Sequence, residues 1–267
     1  MSVVERRAMD AAAEDETRIV GELVARARAA QRDFADASQE RADEAVTALA
    51  WALYKPERAR ELAEMAVADT GLGNVADKIV KNQRKTFGTL RDLLRAKSVG
   101  VIDEDAGRGL VRYAKPMGVV AAVTPSTNPA ATPVNKSMMA IKGRNAIVIA
   151  PSPAGWTTSE RAVAYMRAEL GRIGAPPDLV QVLPQPASKG MTQALMEMAD
   201  LVVVTGSQDN VRRAYRSGTP AIGVGAGNVP VIIDDSADLD DAARKICASK
   251  TFDNATSCSS ENAVVIL

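Results

Sequence analysis

The chain has 267 residues, 33 basic against 33 acidic, with 46% hydrophobic residues, 25% charged residues, two cysteines and no histidine. Even charge removes the basic field expected of a nucleic-acid or anionic-membrane binder. The missing histidine rules out a Ser-His-Asp or Cys-His site within these residues and argues against zinc.

A chain of this length can bury roughly 70–75% of its unfolded surface, so no disulfide or metal is required to hold a core. Two cysteines do not make a disulfide framework, and this usage fits a reducing compartment. Residues 1–10 lack the apolar centre of a signal peptide. No run approaches the roughly 18 apolar residues of a membrane span. The expectation is a cytoplasmic protein with neither a nucleic acid nor a membrane as partner.

Residues 11–96 carry helical periodicity. Ile19, Val20, Leu23, Val24 and Ala27 recur at three-and-four spacing, as do Ala42, Ala45, Val46, Leu49 and Leu53. Ser38 is placed to cap one helix and Pro56 to open the next, which ends at Gly71. A fourth helix is expected over about 74–97, with Val75, Ile79, Phe87, Leu90 and Leu94 facing inward. The charges of these helices are read as solvated faces, without clustered chemistry. The period then changes. Residues 99–102 and 110–113, joined through a turn at 103–107, predict a hairpin, which suits pairing with another subunit or a distant segment.

From Gly118 onward apolar runs at 119–123, 146–150 and 201–204 alternate with helical stretches at 135–141, 159–172 and 188–197. Continuous short apolar runs suit parallel strands covered on both faces. The alternation predicts an α/β fold with a doubly wound, mostly parallel sheet. Ligands of such sheets sit beyond the carboxyl ends of the strands.

Four stretches lie there. Thr124, Pro125, Ser126, Thr127, Asn128 and Pro129 form a loop with three hydroxyls and one amide. Asn128 can donate to a developing oxyanion, or the stretch can be a plain Pro-capped turn. Ser152, between two prolines, can pass the adenosine half of a dinucleotide. Gly206 and Ser207 stand where a helix begins, a position from which backbone N–H groups reach a pyrophosphate; an ordinary strand-to-helix turn reads equally well. Residues 222–228 mimic a dinucleotide fingerprint, but a strand at 229–233 follows them where the fingerprint needs a helix. Gly223 and Gly225 on an extended segment instead admit a flat ring or another backbone.

Near the end, Cys258 stands in Phe252-Asp253-Asn254-Ala255-Thr256-Ser257-Cys258-Ser259-Ser260-Glu261-Asn262. Small polar neighbours on both sides suggest a tight turn that presents the sulfur to a cleft, against the alternative of an inert loop thiol. Cys247, beside Ile246 in a helical pattern, reads as core filler. Glu261, three residues after Cys258, is expected to point into the structure or cap a helix.

Thr-Pro-Ser-Thr-Asn-Pro at 124–129, Lys-Gly-Arg-Asn-Ala-Ile at 142–147, Pro-Ala-Ile-Gly-Val-Gly-Ala-Gly-Asn at 220–228, Lys-Thr-Phe-Asp-Asn at 250–254 and Cys258 together resemble the CoA-acylating branch of the aldehyde dehydrogenase superfamily. The likeness runs from about residue 10 to residue 267. The form of the cysteine block is most similar to that of acylating sulfoacetaldehyde dehydrogenases. By this resemblance Cys258 is the nucleophile and Asn128 the oxyanion donor. Thr124, Pro125, Ser126, Thr127, Ser152, Gly206, Ser207, Gly223 and Gly225 would line an NAD or NADP cleft, and coenzyme A would be the co-substrate. The resemblance implies oxidation of an aldehyde, sulfoacetaldehyde or another short one, through a Cys258 thioester that CoA discharges. Hydrolytic relatives carry a water-activating glutamate in a block matched here by residues 223–226, where glycine stands in its place. Without that base, a thiol competes better than water for the thioester. An acyl-phosphate reductase and a catalytically silent nucleotide-binding fragment are the alternative readings.

The resemblance further implies a homo-oligomer, dimer or tetramer, and an N-terminal portion of the family's fold, truncated at the start of the catalytic domain. The expected organisation is an N-terminal helical segment at 1–97, an assembly hairpin at 98–114, a dinucleotide-binding α/β domain at 115–249, and the beginning of a catalytic domain at 250–267.

Overall fold

The computed structural model describes residues 3–225 and 227–267, with side chains from residue 14 onward. In chain order the major elements are α1 (Val3–Phe34), α2 (Gln39–Tyr54), α3 (Pro56–Thr70), α4 (Val75–Arg95), β1 (Gly100–Asp105), β2 (Leu110–Ala114), β3 (Val119–Thr124), α5 (Ala131–Lys142), β4 (Ala146–Pro151), α6 (Trp156–Arg172), β5 (Val180–Val182), α7 (Lys189–Met198), β6 (Leu201–Thr205), α8 (Gln208–Arg216), β7 (Ala221–Val224), β8 (Pro230–Ile233), α9 (Leu239–Thr251) and β9 (Ala263–Ile266).

The helix boundaries follow local chemistry. Ser38 accepts from the Arg41 N–H to open α2, and Pro56 occupies the first turn of α3. Gly71, left-handed at φ 65°, closes α3. The Asn74 side chain accepts from the Asp77 N–H to start α4.

Five parallel strands form the central sheet in the order β5-β4-β3-β6-β7. Every residue of β3 and β4 is buried, as continuous aliphatic runs predict. Helices α5 and α6 lie against the sheet and are covered in turn by α2, α3 and α4, whereas α1 packs with α7 and also touches β3, β4 and β5. A single apolar core runs from Val20, Leu49 and Leu53 in the first helices through Val119 and Ile147 to Leu195 and Val204. The chain winds outward from β3 through β4 to β5, then returns to β6 and β7 on the other side. The switch point therefore falls between β3 and β6.

The block 142–145 braces the opposite end of the sheet. Arg144 donates to the Ala35 carbonyl at 2.7 Å and the Ala114 carbonyl at 2.9 Å. The Asn145 side-chain oxygen accepts from the N–H groups of Met117 and Gly118, at the entry to β3.

Several expectations change. Helix α4 buries its apolar stripe only in part: Leu90 packs against the core, but Phe87 and Leu94 are exposed, and Lys78, Lys81, Asn82 and Thr86 are the buried residues. Lys78 and Lys81 therefore do not belong to a solvated face. The hairpin exists, but Asp103, Glu104 and Asp105 continue β1, and the turn falls at 106–109. Cross-strand pairing, including an Arg112–Asp103 ion pair at 3.3 Å, holds these acidic residues extended. The strand β5 carried too short an apolar signal to stand out, and residues 221–224 are the sheet-edge strand β7. Cys247 is exposed, because α9 buries none of its residues.

Candidate active site

Parallel register brings the predicted loops to one edge. Thr124 pairs with Pro151 and Thr205 with Val224. Thr124 is buried at the end of β3, and its carbonyl accepts the Ser152 N–H at 3.0 Å. Pro125, Ser126, Thr127 and Asn128 are half-buried in the following loop. The Asn128 carbonyl accepts the Thr132 N–H at 3.2 Å, and Ser159 Oγ donates to the Pro129 carbonyl at 2.7 Å. The Asn128 amide donates to Thr127 Oγ1 at 3.3 Å, while its Oδ1 is buried without a partner. Thr124 Oγ1 and Asn135 Oδ1 are likewise buried and unpartnered. Buried polar atoms of this kind ordinarily find a donor or acceptor, so those of Thr124 and Asn128 at the strand end, with that of Asn135 on α5, leave capacity for a bound group.

Across the switch point the Gly206 N–H donates to the Val224 carbonyl at 3.2 Å. A side chain at Gly206 would meet no atom within 4 Å, so the approach to the N-terminus of α8 is open. Ser207 caps that helix, its hydroxyl accepting from the Asn210 N–H. Gly223 and Gly225 give close approach to this chain's own α8. A Cβ at Gly223 would lie 2.8 Å from Val211, and one at Gly225 would lie 2.6 Å from the Gln208 amide. Ala226, in the same stretch, lies outside the described residues.

Lys136 was not singled out from the sequence. It extends from α5 to the Val123 carbonyl at 3.0 Å and the Val203 carbonyl at 2.8 Å, bridging β3 and β6 at the switch point. Burial brings its pKa down to about 7, with no carboxylate to hold the charge. A lysine two turns along an amphipathic helix carries no sequence signal that would separate it from a surface one.

Cys258 is exposed in a turn between Thr256 and β9. Three consecutive non-glycine residues just before it, Asp253, Asn254 and Ala255, have φ of 52°, 52° and 61°. Such a run needs external support, and α4 supplies it. Asp253 is fully buried and forms ion pairs with Lys78 at 3.2 Å and with Lys81. Its second oxygen accepts the Asn74 N–H at 3.1 Å, and its own N–H donates to Asp77 at 2.8 Å. Asn254 donates to the Gly73 carbonyl at 3.1 Å. Lys78 also donates to the Thr127 carbonyl at 3.3 Å, so one lysine joins the loop after β3 to the segment before the cysteine.

Burial is the largest influence on Asp253 and pushes its pKa up. Hydrogen bonds from Lys81, Thr256 and the Asn74 N–H outweigh it, and the carboxyl lies below its ordinary value. Burial lowers Lys81, with Asp253 opposing. Sequence alone gives Asp253 a place in the cysteine block without a role, and assigns Lys78 and Lys81 to a solvated face. Their i, i+3 spacing was available; the carboxylate that makes it meaningful lies more than 170 residues away. A cleft of about 400 Å³ borders this turn, lined by Lys81, Arg84, Lys85, Phe252, Ser257 and Ser259 among others. Glu261 turns one carboxylate oxygen inward, buried and unpartnered, and a strand follows it in place of a helix.

A parallel switch-point sheet beside a clamped cysteine turn defines an aldehyde dehydrogenase-type nucleotide fold. The chain belongs to the aldehyde dehydrogenase family, whose profile matches residues 4–267. It is 61% identical over 248 residues to the acylating sulfoacetaldehyde dehydrogenase of Cupriavidus necator, covering 93% of this chain and 50% of that protein. An acetylating aldehyde dehydrogenase from Geobacillus thermoglucosidasius superposes with a TM-score of 0.88 at 38% identity, over 95% of this chain and 56% of that one. Rhodopseudomonas palustris propionaldehyde dehydrogenase, solved with bound CoA and an acylated cysteine, gives a TM-score of 0.82 at 28% identity, over 93% and 56%. The chain thus spans about half the length of the relatives it matches. Among the described residues no helix is long and apolar enough to cross a membrane, and no group of three or more acidic, Cys or His residues is arranged to hold a metal.

Proposed function

We propose that this chain is the nucleotide-binding and nucleophile-bearing portion of a CoA-acylating aldehyde dehydrogenase, with sulfoacetaldehyde or a similarly short aldehyde as substrate. The observation that carries this reading is the clamp on the cysteine turn. Lys78 and Lys81 hold Asp253, and Lys78 reaches Thr127 beside Asn128, so nucleophile and candidate oxyanion donor share one anchor.

In the mechanism that follows, Cys258 as thiolate attacks the aldehyde carbon and forms a C–S bond. The Asn128 amide donates to the oxygen that gains charge, giving a thiohemiacetal. The NAD(P) group supplies a hydride acceptor when bound. Thr124, Pro125, Ser126, Thr127, Ser152, Gly206 and Ser207 are the residues proposed to hold it, with Gly223 and Gly225 bringing β7 close against α8. The open backbone at Gly206 and the unpartnered oxygens of Thr124, Asn128 and Asn135 fit such a group. Loss of hydride leaves a thioester on Cys258. The CoA thiol releases its proton to solvent and attacks that carbonyl, the carbon–sulfur bond to Cys258 breaks, and the Cys258 thiolate leaves. Glycine at 223, where hydrolytic relatives carry a glutamate, leaves water without a base there.

Residues 98–114 are proposed as an assembly hairpin of a homo-oligomer, since Leu110, Val111 and Tyr113 are exposed on it. The four-part division of the chain stated above is retained as part of the proposal.

The deciding experiment is mass spectrometry of the complete natural protein after incubation with sulfoacetaldehyde and NAD⁺ or NADP⁺. An acyl adduct on Cys258 that CoA discharges is the expected result. Discharge by inorganic phosphate would support the acyl-phosphate reading, and nucleotide binding with no adduct would support a silent binding module. Replacing Cys258 by Ser is expected to abolish aldehyde oxidation while changing nucleotide affinity by no more than a few-fold.

A further inference from the structure

The cleft beside Cys258 has a charge that the proposed reaction does not use. Lys78, Lys81, Arg84 and Lys85 follow one another at three-and-four spacing along α4, so they share the helix face turned toward the cysteine segment. Lys81, Arg84 and Lys85 line the cleft, and its opposite wall carries the hydroxyls of Ser257, Ser259 and Ser260. Cys258 lies between two of those wall residues in the chain, at the rim and not on the lining of the cleft.

The acids nearby are already engaged. Asp253 answers Lys78 and Lys81, and Asp77 accepts from the Asn254-side turn through the Asp253 N–H and from the Asn74 amide. Even if both carboxylates are set against both buried lysines, Arg84 and Lys85 remain. Neither has an ion pair or hydrogen bond to any described residue. Glu261 belongs to the same turn but does not line the cleft. Ser260 Oγ donates to the Ser257 carbonyl at 2.6 Å and the Ser257 and Ser259 hydroxyls bond each other at 3.0 Å, which leaves one hydroxyl hydrogen of that pair free. Two unneutralised cations and that one donor on the walls of a 400 Å³ cleft make a receptor for a small oxyanion. An uncharged alkyl aldehyde would leave those donors unused.

We propose that Arg84 and Lys85 form a subsite for an acidic group on the aldehyde, a sulfonate in preference to an alkyl chain, and hold it while Cys258 attacks the carbonyl end. This rests on the reading of Cys258 as nucleophile. The guanidinium offers paired N–H donors to an oxyanion, Lys85 adds a point charge, and the one free hydroxyl hydrogen of the Ser257–Ser259 pair can add a third contact. Lys81 is occupied with Asp253 and sets the position of the wall.

The test uses the complete natural protein and two measurements. In the first, Arg84→Gln/Lys85→Gln is compared with the parent. The KM for sulfoacetaldehyde is expected to rise at least tenfold, while those for propionaldehyde and CoA change less than threefold. An equal change for both aldehydes, no change for either, or a change confined to CoA overturns the proposal, the last by assigning the cations to a CoA phosphate. The second measurement needs no turnover. Ethanesulfonate is expected to slow alkylation of Cys258 by iodoacetamide in the parent, and to lose that effect in the double variant and in Arg84→Gln alone; 1-propanol is expected to give none. No protection in the parent, or protection unchanged in the variants, overturns the subsite. If no aldehyde is oxidised at all, the reaction assignment fails while the alkylation result still decides the subsite.

Discussion

The loops at the ends of β3 and β6 and the turn that carries Cys258 are held in place by different physics. The first rest on fully buried parallel strands whose neighbours are set by register, and their hydrogen bonds are mostly backbone to backbone. The second has almost no core of its own. Helix α9 buries nothing, and between 234 and 267 only Asp253 and Ser260 are buried. Its shape depends on a carboxylate inserted between two lysines of a helix far back in the chain. Apolar burial thus positions the strand-end side of the candidate site, and charge pairing positions the cysteine side. A buried pair broken on one side leaves uncompensated charge, so the second arrangement is the more brittle.

The contrast can be broken most directly at Asp253. Replacing it with Asn should destabilise the protein by about 3–5 kcal/mol, because Lys78 and Lys81 would be left buried without their counter-charge; urea unfolding at pH 7 measures this. The pH dependence has a defined sign. The folded pKa of Asp253 lies below its ordinary value, so its contribution is present above the normal aspartate range and is lost as pH falls through the folded pKa. The gap between parent and Asp253→Asn should therefore shrink toward strongly acidic pH. Next in size is Gly73→Ala, expected to cost about 2–3 kcal/mol. Gly73 has φ 73°, and a Cβ there would collide with the Asp253 carboxylate, so the clamp requires glycine on both counts.

A smaller effect tests the sheet side. Burial brings Lys136 down to about 7 in the folded chain, against the ordinary lysine value of 10.5 when unfolded, so the unfolded chain holds the extra proton between those values. Stability contributed at this site should rise with pH across that window. The difference between parent and Lys136→Met should move in the parent's favour by roughly 2 kcal/mol from about pH 7.5 to 9, as read by urea titrations. Least of all, Asp103→Ala in the exposed β1–β2 ribbon should cost under about 0.5 kcal/mol, since its partner Arg112 is solvated. A cost comparable to that of Asp253→Asn would mean that exposed and buried pairs do not differ here as argued.

The strand-end loops were legible because short apolar runs between helical patterns state where parallel strands end, and ligands of such sheets gather there. Residues 124–129, 152 and 206–207 were found in this way. The fourth helix was misread for a related reason. Periodicity ranks faces by hydrophobicity and takes Phe87 and Leu94 as core, whereas Lys78 and Lys81 bury themselves by finding one carboxylate. Cys247 erred oppositely, since an apolar neighbour says nothing about whether a helix has anything to pack against.

Taken alone, the residues of this chain determined its α/β class, its helix caps at Ser38, Pro56 and Gly71, and the strand ends that the parallel register brings to one edge of the sheet. These follow from local spacing and from backbone preferences that act over a few residues. Only the tertiary structure decided that Asp253 stands between Lys78 and Lys81, that Lys136 bridges β3 and β6, and that Arg84 and Lys85 line the cleft beside Cys258. Ion pairing in a buried site depends on distance in space, and no local pattern encodes a partner more than 170 residues away.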